Sequence, residues 1–166
     1  MKPTSRPLAA LALPLVMTLA LSACAGAPRP SGPSQEIALD RTKALGSVNA
    51  FRAEHGMPAL RMETHLMTAA AAQSAAMARR GKMDHEVAGL LPDRVRAAGY
   101  DWTTTAENIA TSFRDYDSAM AGWVASPGHR KNLLNPRVTE IGFAAARSAD
   151  GKPYWTQIFA RPRTAD

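Results

Sequence analysis

The sequence predicts a single α+β domain, and three observations carry that prediction. Apolar residues recur at helical spacing through the first two thirds of the chain, at Ala44, Leu45, Val48 and Phe51 and again at Leu66, Ala69, Ala70, Ala76 and Met77, with the polar Gln73 on the same stripe. Near the C-terminus the period changes to two: "EIGFAAAR" and "YWTQIFAR" alternate around "SADGKP", whose Asp-Gly step marks a β-hairpin turn. About 140 residues remain once a leader is set aside, enough for one core and too few for two. Helices first and an antiparallel hairpin last give the α+β class.

The elements follow in order. A first helix starts its pattern at Ile37 and stops at Gly56 and Pro58, a C′ glycine followed by a breaker. A second has Thr64 as candidate N-cap and Gly81 as its stop. Residues 92–99 read as a short helix with Pro in its first turn. Tyr116, Met120, Trp123 and Val124 share one helical face, and Pro127 disfavours helix at Ser126, so a further helix spans about 117–125. Ser126, Gly128 and His129 are then expected in a loop beyond its end. Trp123, Trp155, Phe159, Leu133 and Leu134 are assigned to the core, and Asn132 and Asn135 to turns.

Ahead of the domain, Lys2 and Arg6 precede a Leu/Ala-rich run over residues 8–21, too short to span a bilayer comfortably and followed by small residues. Residues 1–23 are therefore expected to be a secretory signal peptide. The following "LSAC" resembles the lipobox of bacterial lipoproteins, which implies lipidation of Cys24, the only cysteine, and a membrane partner reached through acyl chains rather than a spanning helix. Ordinary cleavage after the small residues is the alternative. Ala25 follows Cys24, which for a Gram-negative source points to the outer membrane. Residues 24–36, rich in Pro, Gly and Ser, are expected to form a tether, with the domain over 37–163. Removal of Lys2 and Arg6 lowers the formal charge from +6 to +4, and no Lys/Arg tract is present, so nucleic acid is a poor partner.

Read from the residues alone, His85 and His129 are loop histidines that suit ligation or proton transfer, although isolated loop histidines are more often surface residues or caps. Glu107, beside Asn108, serves equally as a site carboxylate or as support for nearby backbone groups. Two imidazoles and this carboxylate can bind Zn²⁺ with one position left for water; alternatively Glu107 accepts from one ring and fixes its tautomer, which needs no metal. His55 reads as a cation at a helix C-terminus, and His65 as solvent-facing or packing. Ser126 stands three residues before His129, but "GxSxG" and "SxxK" are missing, which argues against a serine hydrolase.

The ordered motifs say more. "NAFRAEHGMPALRME", "MDH", "AENIA", "GWVASPGHRKNLLNPRVTEIGFA" and "YWTQIF" together resemble the CAP superfamily of cysteine-rich secretory, antigen 5 and pathogenesis-related proteins, in its bacterial branch, over roughly residues 41–160. The resemblance implies a three-layer α-β-α sandwich around an antiparallel sheet, with a cleft that holds two His and two acidic residues in many eukaryotic members. By motif, the histidines fall on His85 and His129 and the first glutamate on Glu107. The second glutamate falls on Ser126, a departure that leaves one carboxylate; Glu140 of "TEIG" is the one candidate to replace it. The resulting expectation is a binding module whose cleft of His85, Glu107, Ser126 and His129 takes a lipid, glycan, peptide or small ligand, or a divalent cation such as Zn²⁺ on His85 and His129. The alternatives are a metal-assisted hydrolase of peptide or cell-wall bonds and an envelope protein with a vestigial cleft.

Overall fold

The computed structural model describes Met1 and residues 32–163. The leader, Cys24 and the tether as far as Ser31 lie outside the described residues. The chain runs β1 (Gln35–Glu36), α1 (Arg41–Glu54), β2 (Arg61–Met62), α2 (Thr64–Arg80), α3 (Leu91–Ala97), β3 (Trp102–Thr111), α4 (Tyr116–Ala125), α5 (Pro127–Leu133), β4 (Glu140–Arg147) and β5 (Pro153–Pro162). The sheet order is β1-β4-β5-β3, antiparallel throughout, with the two-residue β2 added parallel to β4. The predicted hairpin is β4-β5, closed where Ser148 N donates to Lys152 O, with Gly151 at φ +86°. Gln35 and Glu36, at the end of the expected tether, pair with Arg147 and Ala146 and so join the sheet.

Helices cover both faces, which gives the three layers. On one side α2 and α3 bury Leu66, Ala69, Ala70 and Val95 against Tyr100, Ile158 and Ala160. On the other, α1, α4 and α5 bury Val48, Met120, Trp123 and Leu133 against Ile141, Phe143, Trp155 and Phe159. The alanine run of α2 lets its backbone lie directly on β4. A Cβ on Gly142 would stand 2.2 Å from the Leu66 carbonyl carbon, so only glycine fits under the helix.

Local differences from the sequence reading have local causes. Helix α1 begins at Arg41 because Asp40 caps it, accepting from Lys43 N at 2.9 Å, while Ile37 is extended and donates its N–H to Ala145 O. Glu63, not Thr64, caps α2, and Gly81 closes it in the left-handed conformation at φ 59°. Strand β3 carries no clean alternation, since residues 107–110 are covered on both faces, and its periodicity gives no strand signal. Pro127 does end α4, but it also opens α5: proline is well suited to the first turn of a helix, where its missing N–H costs nothing. His129 is therefore a helical residue, and Asn132 lies on the same short helix rather than in a turn.

Candidate functional site

The site is assembled around β3, which forms one edge of the sheet. Glu107 lies within it and is 6% exposed. One carboxylate oxygen, Oε1, is 2.8 Å from His85 Nδ1. The other, Oε2, accepts from Arg94 Nη2 of α3, which is itself 6% exposed. Burial of a carboxylate is tolerable only when it is paired and hydrogen-bonded, and here a guanidinium meets that requirement.

Arg94 also holds the His85 loop. Its Nη1 donates to His85 O at 2.9 Å and to Gly89 O at 2.8 Å. From the other side Gln73 Nε2 of α2 donates to Asp84 O at 2.7 Å. A ring on an irregular segment is thus fixed at its backbone by two buried side chains. Hydrogen bonding to Glu107 raises the His85 pKa, against the opposing effect of burial, so its cationic form is favoured.

On the opposite side of β3, α4 and α5 are stitched to three successive residues. Asn132 Nδ2 donates to Glu107 O at 3.1 Å and to Asn108 Oδ1 at 2.9 Å. Asn108 Nδ2 donates to His129 O at 3.3 Å, and Trp123 Nε1 to Ile109 O at 3.1 Å. These bonds place His129 by its backbone and leave its ring without a hydrogen bond among the described residues. Burial lowers the His129 pKa and the charge on His85 lowers it further, so the two imidazoles sense each other and His129 favours its neutral form.

Ser126 bridges the helices, extended at φ −89° between the end of α4 and the start of α5. With His129 it forms one wall of an apolar groove of about 220 Å³ whose other walls include Met83, Ile109, Phe113 and Trp123. His85, Glu107 and His129 thus gather around β3, while Ser126 and His129 continue into this groove.

Glu140 does not join them. It is 4% exposed at the start of β4, accepting from Arg61 Nε at 2.7 Å and from the Tyr100 hydroxyl. His55 lies at the C-terminal end of α1, as expected. Arg130 Nη2 lies 2.7 Å from its Nε2, and its Nδ1 lies 2.7 Å from Phe51 O. His65 is half-exposed and pairs with Glu63.

The donor set does not fit a zinc ion. Both Glu107 oxygens are taken and a buried guanidinium stands beside the carboxylate, so the two imidazoles are the donors that remain. Serine occupies the position of the second acid, and no group of three or more His, Cys, Asp or Glu among the described residues is arranged to hold a metal. The expected cation set on His85 and His129 therefore lacks its carboxylate, and Glu107 is equally unavailable as a general base. Arg94, the residue that decides this, was missed in the sequence, although it left a signal. Leu91, Arg94, Val95 and Ala98 follow the i, i+3, i+4, i+7 rule, which places an arginine on the apolar stripe of α3.

Fold and site together define a three-layer α+β domain with a His/Glu/His cleft at a sheet edge. Residues 45–159 match the model of the CAP, or cysteine-rich secretory protein, family, and the chain belongs to that family. It is 33% identical to YkwD of Bacillus subtilis over 131 residues, 78% of this chain and 49% of the relative. It is 32% identical to the membrane protein YlbC of the same organism over 119 residues, 70% of this chain and 33% of the relative. The chain thus spans half or less of the length of these relatives. Among solved structures, an extracellular SCP-domain protein of Bacillus anthracis is 30% identical with a TM-score of 0.65, over 72% of this chain and 39% of the other. An outer surface protein of Borrelia burgdorferi shares the fold at a TM-score of 0.71 and 15% identity, over 78% of this chain and 99% of the other.

Proposed function

We propose that this protein is an exported CAP-domain lipoprotein, anchored through acylated Cys24, whose cleft binds a ligand without turning it over. One observation carries the reading: the Glu107 carboxylate of the cleft is engaged at both oxygens, by Arg94 and His85. A hydrolase of this type needs a free carboxylate as metal ligand or general base, and a nucleophile needs an oriented partner. What the cleft does offer is His85, whose cationic form is favoured by Glu107 and whose Nε2 is not engaged by it, His129, whose neutral form is favoured by burial, the Ser126 hydroxyl and an adjoining apolar groove. That combination suits a ligand with a carboxylate or other anionic oxygen next to an apolar group, such as the C-terminus of a short peptide. Export is supported by the leader pattern and by the 30% identical relative described as extracellular. For a Gram-negative source, Ala25 after Cys24 directs the anchor to the outer membrane.

The test is an NMR titration of the histidine ring signals with N-acetylated dipeptides ending in an apolar residue. The expected result is saturable shifts at His85 and His129, with the peptide recovered intact. Hydrolysis of the peptide that His129→Ala abolishes would overturn the reading.

A further inference from the structure

A second groove lies apart from the cleft. It measures about 560 Å³ and lies at the other end of β3, between Thr104, Thr105 and Ala106 and the segment that carries Lys131, Asn135 and Arg137. No Asp or Glu lines it. Lys131 and Arg137 have no ion-pair partner among the described residues, unlike Arg41, Lys43, Arg61, Lys82 and Arg94, each of which faces a carboxylate. Arg161 is exposed and is the cross-strand partner of Thr104, which puts a third cation on the same face beside the groove.

A fourth positive charge lies behind the floor. Arg52 is fully buried; its Nε donates to Pro58 O at 2.8 Å, and its Nη1 to Leu133 O and, at 3.1 Å, to Asn135 O. Its Nη2 has no partner, and no carboxylate among the described residues pairs with it. Carbonyl acceptors satisfy hydrogen bonds but do not cancel the charge, and an interior of low dielectric transmits it. The same bonds engage the carbonyls at the end of α5, whose partial negative charge would otherwise oppose an anion.

From this geometry we infer that the groove is a second binding site, for a phosphate-bearing ligand. Three surface cations with a buried one behind them exceed what a single carboxylate balances. A phosphate group brings up to two charges and several acceptor oxygens, which the cations meet together with the Thr104 hydroxyl and Asn135 Nδ2. The site shares no lining residue with the apolar groove at Ser126 and His129. It therefore stands or falls separately from the proposed peptide cleft.

Such a group can come from a soluble phosphate ester or from a phospholipid headgroup, and one experiment separates them. Amide shifts of residues 131–135 and of Arg137 are followed in the full chain in neutral detergent micelles, titrated with inorganic pyrophosphate, with glycerol 3-phosphate, and with phosphatidylglycerol doped into the micelles. A saturable response to the soluble probes alone assigns a soluble ester, and one confined to phosphatidylglycerol assigns a headgroup. In either case Lys131→Glu with Arg137→Glu weakens binding at least about tenfold, while His129→Ala leaves it unchanged. Both substituted side chains are on the surface, and an unchanged melting temperature verifies the fold. Silence towards all three probes, or undiminished affinity in the charge-reversed variant, overturns the inference.

Discussion

Replacing Arg94 by Met tests the centre of the site. The side chain is removed from a pair in which both partners are 6% exposed, and with it go the bonds to His85 O and Gly89 O. A buried carboxylate deprived of its partner costs about 3–5 kcal/mol, because its desolvation is no longer compensated. For a domain of this size each kcal/mol lowers the melting temperature by roughly 3–5 °C, so the expected fall is about 10–25 °C. The second arm is Glu107→Gln on top of Arg94→Met. Removing the charge that lacked a partner should recover part of the loss, giving a positive coupling in the double-mutant cycle. The assay is thermal and urea unfolding followed by circular dichroism. A loss of less than about 1 kcal/mol in Arg94→Met, or strict additivity in the double variant, would mean that Glu107 is solvated and free, and the non-catalytic reading would go with it.

Two further outcomes follow from the packing and the electrostatics. Gly142→Ala drives a methyl into the backbone of α2, 2.2 Å from Leu66 C and 2.3 Å from Met67 N, whereas at Gly122 the nearest obstacle is the Phe113 ring at 2.5 Å, which can turn aside. Urea unfolding should therefore show a loss of about 3 kcal/mol or more at Gly142 and about 1 kcal/mol at Gly122, and equal losses would refute the close contact of α2 with β4. In an NMR pH titration His85 should protonate above the usual histidine value of about 6.5 and His129 below it, and Glu107→Gln should move His85 down. The signs for stability oppose each other. The His85 contribution is complete below the unfolded pKa and fades as pH rises through its higher folded value, weakened by the exposure of the ring. The His129 contribution is present above the unfolded pKa and is lost as pH falls through its lower folded value. The reverse order of the two midpoints would contradict the assignment.

Much of this was legible in the sequence, and for stated reasons. Helices α1, α2 and α4 each turn one stripe to the core, so that burial writes itself as a period of 3.6, while the β4-β5 hairpin, covered on both faces, was legible from its Asp-Gly turn between two strand-like runs. Gly81 was readable as a stop because left-handed backbone favours glycine. Strand β3 was not, because covering on both faces erases alternation, and α5 was hidden by reading Pro127 only as a terminator. His85, Glu107 and His129 were found through the order of short motifs, yet nothing in that order says what each side chain touches.

The sequence by itself determined the class of domain, the position of its core and the residues that approach the cleft, since periodicity and turn chemistry act within a few residues. Only the tertiary structure decided what the cleft can do. It turned Arg94 and Arg52, two arginines on apolar helical stripes, into buried cations, one neutralising Glu107 and the other held by backbone carbonyls, with no carboxylate partner among the described residues. It also sent Glu140 to Tyr100 and Arg61. Whether a carboxylate is a ligand, a base or half of an ion pair depends on which charge the fold brings within about 3–4 Å of it, and that partner lies 13 residues away for Glu107 and 79 for Glu140.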